Sequence, residues 1–188
     1  MRKLILILSL MFTVTLSPNV VMSKTVKYED LVTRKGLYYR KSSDVPFTGK
    51  TTGKTQGTFK NGKKDGLYVR YHKNGQLFLK TNYKDGKRDG PYIRYYDNGR
   101  LSSKGKQKDG KQEGPHVTYH RNGQLQTKGT YKDGKEEGPY VSYHDNGQLW
   151  FKGTYKDGKQ EGPWVWYKKD GTVWEKYTGT FKNGVKVK

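Results

Sequence analysis

From residue 59 onward, rings and polar side chains alternate in short runs, and each run stops at a glycine turn. Tyr140-Val141-Ser142-Tyr143-His144 and Leu149-Trp150-Phe151 flank Asn146-Gly147, and the same arrangement returns every 24 residues. Alternation of this kind sends successive side chains to opposite faces of a strand. Gly62, Gly86, Gly110, Gly134 and Gly158 mark one turn of the repeat; Gly75, Gly99, Gly123, Gly147 and Gly171 mark the other. A third glycine series runs through 66, 90, 114, 138 and 162. Asn or Asp precedes the glycine in both turn series, and Asn-Gly and Asp-Gly are the dipeptides that two-residue hairpins of the primed types demand. Each repeat therefore predicts a hairpin, and the chain an all-β, elongated, single-layer antiparallel meander of 24-residue hairpin repeats.

A two-residue loop at Asn146-Gly147 would set the register: Tyr140 opposite Gly153, Ser142 opposite Phe151 and His144 opposite Leu149 on one side, Val141 opposite Lys152 and Tyr143 opposite Trp150 on the other. The ring of Tyr140 would then lie across Gly153, as Tyr92 would across Gly105 and His116 across Gly129. A ring over bare backbone recovers packing that the glycine cannot supply.

Composition narrows the picture. The 188 residues include no cysteine, 24 glycines and 16 tyrosines, with 31% hydrophobic and 14% aromatic residues. That is enough chain for one domain but too little aliphatic side chain for a thick two-layer core. The aromatic content argues against disorder. With no thiol there is neither disulfide nor lipid attachment, so sheet packing alone must hold the domain together.

The first residues read as targeting. Arg2-Lys3, the apolar run Leu4–Leu16, and Val21-Met22-Ser23 before Lys24 have the layout of a secretory signal peptide. The alternative is an uncleaved anchor reaching Val21. Either predicts export to the periplasm, cell surface or medium. The organisation expected is a signal peptide at 1–23, an N-terminal segment at 24–58 and a repeat domain at 59–188.

The string Gly129-Thr-Tyr-Lys-Asp-Gly-Lys-Glu-Glu-Gly-Pro139 and its copy at 153–163 resemble the MORN repeat, which reads roughly G-x-Y-x-x-G-x-x-x-G. The continuation into Asn-Gly-Gln-Leu and the 24-residue period resemble its bacterial variant, found in YwqK-like proteins often labelled antitoxin components of toxin–antitoxin modules. The resemblance covers about 59–188, and the stretch from Gly36 to Lys50 resembles a partial leading repeat. The chain departs from the pattern at Thr81-Asn82, at Gln107 in a tyrosine slot, and in two extra residues before Gly179. The resemblance implies a binding repeat, and the antitoxin label implies a cognate toxin as partner.

No catalytic or metal constellation emerges. His72, His120 and His144 occupy one repeat slot, about 9.6 Å apart if two strands separate neighbours, too far to share a metal with bonds of about 2 Å. They read as solvated or stacking rungs. Glu136, Glu137, Asp145 and Glu161 sit at turns, where nothing would bury a carboxylate and tune it for acid–base work. The protein is expected to be no enzyme and to need no cofactor or metal.

Charge carries more. The formal net charge is +21, and lysine fills positions 80, 104, 128, 152 and 176, on the side expected for the tyrosines at 71, 95, 119, 143 and 167. Such rows keep a sheet soluble and its edges unpaired, or they form a platform for an anionic or ring-stacking polymer. Charge falls from the first repeats towards the fourth, making Arg70, Lys80, Arg94 and Lys104, with Tyr71 and Tyr95, the candidate anion-binding set. Trp150, Trp164, Trp166 and Trp174 form a candidate aromatic protein-binding set in the near-neutral half. The function predicted is that of an exported non-catalytic binding or scaffold protein for a protein partner or an anionic envelope surface. An antitoxin-type inhibitor is the alternative, with nucleic-acid binding behind it, since the charge and interleaved tyrosines fit a polyanion.

Overall fold

A computed structural model describes residues 24–187; the apolar run at 4–16 and the signal-peptide reading lie outside the described residues. Strand follows strand in chain order through one long, almost wholly antiparallel sheet. The hairpins at its centre pair Lys63–Tyr71 with Leu77–Lys84 and Lys87–Tyr95 with Leu101–Lys108. Gly114–Tyr119 with Leu125–Lys132, and Gly138–Tyr143 with Leu149–Lys156, continue the series. Among the described residues no α-helix forms. At the N-terminal end Thr25–Lys27 adds to Gly49–Thr52 in parallel, and the separate hairpin of Leu31–Arg34 and Leu37–Arg40 leans on the first repeat turn, where the Tyr38 N–H donates to the Gly62 carbonyl at 2.8 Å.

The two turns of each repeat are different devices. At 61-62, 85-86, 109-110, 133-134 and 157-158 both residues have positive φ, for example 49° at Asp85 and 85° at Gly86. This is the primed two-residue turn that the dipeptide predicts. At the other turn only the glycine is left-handed, as Gly147 is at 84°. The His144 N–H donates to the Gln148 carbonyl and the Gly147 N–H to the His144 carbonyl. Three residues, 145 to 147, thus form the loop, a turn closed by a left-handed glycine. The register expected from a two-residue loop holds from Tyr140↔Gly153 to Ser142↔Phe151. It then shifts, so that Tyr143 faces Leu149 rather than Trp150. Trp150 is the extra residue of a bulge, which lets neighbouring side chains gather on one side.

The asparagine at this turn is there for its amide rather than for its φ. Asn122 Oδ1 accepts from the Gln124 N–H at 3.0 Å while its Nδ2 donates to the Asp145 carbonyl one repeat on, at 2.6 Å. Asn74, Asn98 and Asn146 repeat the bond to the next hairpin. The histidine slot does the same work. His72, His120 and His144 donate from Nε2 to the carbonyls of Tyr95, Tyr143 and Tyr167 at 2.9–3.0 Å, and Tyr96 uses its hydroxyl on Tyr119. Of the expected solvated or stacking rungs, His72 packs on Phe78 and His144 on Trp150, and all three histidines also tie consecutive loops together. At the opposite edge Glu113, Glu137 and Glu161 each accept the backbone N–H of the next turn, at Asp133, Asp157 and Asn183. Glu137 and Glu161, two of the acids expected at turns, thus tie one turn to the next.

Rings do cover glycines, but Tyr140 leans the other way from the expectation. It lies over Gly129, and Gly153 is covered by Trp164, so that a Cβ added at either glycine would overlap the ring. Tyr68 covers Gly57, and both Tyr92 and His116 approach Gly105. Thr81, standing where the pattern has glycine, is buried with its Oγ1 unpartnered. The two extra residues before Gly179 open the last hairpin into a loop that touches the sheet through the Tyr167↔Val173 bridge.

Candidate binding face

Residues paired across an antiparallel ladder share a face, and the registers thread one row across nine strands. It runs Val69, Lys80, Ile93, Lys104, Val117, Lys128, Val141, Lys152, Val165, alternating aliphatic and cationic side chains without a break. Two residues along alternate strands stand Leu67, Pro91, Pro115, Pro139 and Pro163, on the same face. Together they line two open grooves that meet at Pro115. One, of about 550 Å³, runs from Leu67 and Lys80 to Lys104 and Val117; the other, of about 760 Å³, runs from Lys128 and Val141 to Lys152 and Val165. Strands 4.8 Å apart place the lysines at intervals of about 9.6 Å with an aliphatic shelf midway. All four lysines are exposed. The ion pairs among the described residues are Arg34–Asp44, Arg121–Asp97 and Lys169–Asp145, so none of these four ammonium groups has an ion-pair partner there.

The opposite face carries the rings. Its matching row is Arg70, Leu79, Arg94, Ser103, Thr118, Thr127, Ser142, Phe151, Trp166. The candidate anion set is therefore split: Lys80 and Lys104 lie on the groove face, Arg70 and Arg94 on the ring face. Arg70 stacks over Phe78 at 5.4 Å and Arg94 over Tyr92 at 5.7 Å, and the Nε of Arg94 is buried without a partner. Tyr71 and Tyr95 sit half-buried at strand ends beside the three-residue loops, where the Tyr95 carbonyl is occupied by His72. Within the expected lysine row only Lys176 lies over a ring among the described residues; the other cation–ring contacts come from Arg34, Lys64, Arg70, Arg94 and Arg121. Lys176, expected to continue the lysine row, lies in the opened last loop over Tyr177 at 5.4 Å.

The tryptophans do come together. Trp166 touches Phe151, Trp150, Trp164 and Tyr177 at centroid distances of 4.3, 5.9, 6.3 and 6.0 Å, and Trp174 meets Tyr177 edge-on at 4.7 Å. Trp164 is 1% exposed and belongs to the core, whereas Trp150 and Trp174 are 38% and 37% exposed.

One group escaped the sequence reading. Lys64 Nζ stands over Tyr68, Tyr83 and Tyr38 at 4.3, 5.0 and 5.4 Å. Burial works against its charge, but the surrounding phenols more than offset that and its pKa is raised. The same slot holds Arg88, whose Nε donates to the Tyr83 hydroxyl, and then Gln112 and Glu136, which accept from Tyr92 and Tyr131. The proline and valine slots were equally visible in the 24-residue period, and the pairing of Val141 with Lys152 already pointed to their face.

The MORN repeat variant matches the chain four times in tandem, at residues 64–85, 88–109, 112–133 and 136–157. Each match begins just after one primed turn and ends inside the next, so a family unit is one hairpin with its three-residue loop. No curated protein matches the chain.

Proposed function

The chain is a MORN-repeat protein of the variant type, a binding or scaffolding repeat, and we propose that it works outside the cytoplasm as a non-catalytic adaptor that docks an anionic partner on its lysine–aliphatic face. The observation that supports this most is the unbroken row from Val69 to Val165, in which four exposed lysines have no acidic neighbour in an ion pair. Unpaired cations above apolar shelves offer a partner both charge attraction and area to bury. An acidic protein surface and an anionic envelope surface both satisfy it; nucleic acid shares the charge but would not meet an exported protein as its usual partner.

The test is retention of the purified protein on immobilised polyglutamate and on vesicles rich in anionic lipid. Reversing Lys80, Lys104, Lys128 and Lys152 to Glu should abolish retention, and reversing Arg70 and Arg94 should leave it within about twofold, because those guanidiniums lie on the other face. Equal loss from both sets would overturn the assignment of the face.

A second reading rests on the C-terminal end, where Trp174, Tyr177, Val173, Val185 and Val187 are all exposed. Such a patch fits a single protein partner of the toxin–antitoxin kind. It predicts salt-insensitive capture of a toxin, lost on Trp174→Ala and unaffected by the lysine substitutions.

A further inference from the structure

Resting on the lysine-face reading above, we infer that the occupant of that face is an extended acidic polypeptide in the polyproline II conformation, lying across the strands with an acidic residue at every third position. Two periods match. A ligand running along the sheet crosses two strands between Lys80 and Lys104, between Lys104 and Lys128, and between Lys128 and Lys152, so it meets a cation about every 9.6 Å. A polyproline II chain has three residues per turn and rises about 3.1 Å per residue, which returns the same face every 9.3 Å or so. The difference accumulates to about 1 Å over the three intervals, well within the reach of a lysine side chain.

A β-strand ligand does not fit this row. Its side chains return to one face every two residues, about 6.8 Å, and fall out of step with the lysines after one interval. The apolar part of the site agrees with the helical alternative. Between consecutive lysines lies a shelf of one proline and one branched aliphatic, such as Pro115 with Val117 or Pro139 with Val141. A polyproline II chain carries its other two residues to the flanks, where prolines can rest on those shelves, and it has little conformational freedom left to lose on binding. Its backbone makes no internal hydrogen bonds and stays open to water, which suits an open groove with exposed lysine ammoniums along it.

The test uses labelled twelve-residue peptides and fluorescence anisotropy with the purified protein at two salt concentrations. Four Glu-Pro-Pro triplets in series should bind at least tenfold tighter than a peptide of the same composition with its four glutamates adjacent. Binding should fall several-fold with Lys104→Ala or Lys128→Ala, and hardly at all with Arg94→Ala. Equal affinity of the periodic and clustered peptides, with the lysine substitutions still effective, would overturn the inference while leaving the lysine face as the binding surface. No effect of the lysine substitutions would remove that reading as well. A polyuronate that displaces the periodic peptide and binds more tightly would overturn it in favour of a carbohydrate occupant.

Discussion

Two hairpins, the first opening with Lys63–Tyr71 and the last with Lys159–Trp166, fill the same slots of the ring face with different chemistries. Tyr68 and Arg70 stand in the first where Trp164 and Trp166 stand in the last, and Lys64 with its three phenols stands where Gln160 does. At one end cations lie over rings; at the other, rings pack on rings, with Phe151 and Trp166 4.3 Å apart. Both cover a glycine of the preceding strand, Gly57 in one case and Gly153 in the other. The difference teaches that this face needs a flat ring over the glycine and tolerates wide variation around it. The groove face keeps lysine in one slot throughout Lys80, Lys104, Lys128 and Lys152, and valine or isoleucine in the next.

The largest expected effect separates the two ends. Trp164→Ala should cost about 3–5 kcal/mol in chemical denaturation, since it empties the largest of the fully buried side chains. His116→Ala, at the less buried homologous slot, should cost clearly less; equal costs would mean that the C-terminal cluster is no tighter than the middle of the sheet. Gly153→Val follows at about 1–3 kcal/mol or somewhat more, because the branches meet the Trp164 ring, which is held on several sides and cannot swing away. Gly75→Ala, with open space around its Cβ but φ at 86°, should cost only the left-handed strain of about 1–2 kcal/mol. An unchanged midpoint for Gly153→Val would contradict the ring-over-glycine packing.

Smaller effects sharpen the edges. Asn122→Ala removes a bond within the loop and another to the next repeat, for about 1 kcal/mol, an exposed position limiting the loss. Smallest and most specific is a pH effect at His116, whose Nδ1 is buried without a partner. Burial, with the Arg94 charge nearby, holds its imidazole below the ordinary histidine value of 6.5. The unfolded chain therefore takes up a proton below that value when the folded chain does not, so stability is full above it and declines as pH falls. His116→Tyr, which restores the residue of Tyr92 and Tyr140, should flatten the decline between pH 7 and 5 in thermal melts. An equal decline in both proteins would place its cause elsewhere.

The period, the primed turns and the central register were legible because glycine spacing and Asp-Gly or Asn-Gly chemistry act locally. Asn-Gly at 146-147 was misread as a two-residue loop, since the same dipeptide also serves a longer loop when the asparagine amide finds the next repeat's carbonyl. The lean of Tyr140 towards Gly129 is not legible for a related reason: Tyr140 has a glycine on both sides, Gly129 and Gly153, and pairing alone does not choose. Arg70 and Lys80 read as one patch because they fall in the same basic stretch of the chain. Their pairing partners, Leu79 and Val69, put them on opposite faces.

The division of the sheet into a binding face and a packing face is tested most directly by NMR, titrating polyglutamate into protein labelled at methyl and indole groups. The methyls of Ile93, Val117 and Val141 should shift progressively and lose the shift as salt is raised, while the indole N–H signals of Trp164 and Trp166 stay in place. Indole shifts that lead or exceed those of the methyls would contradict that division.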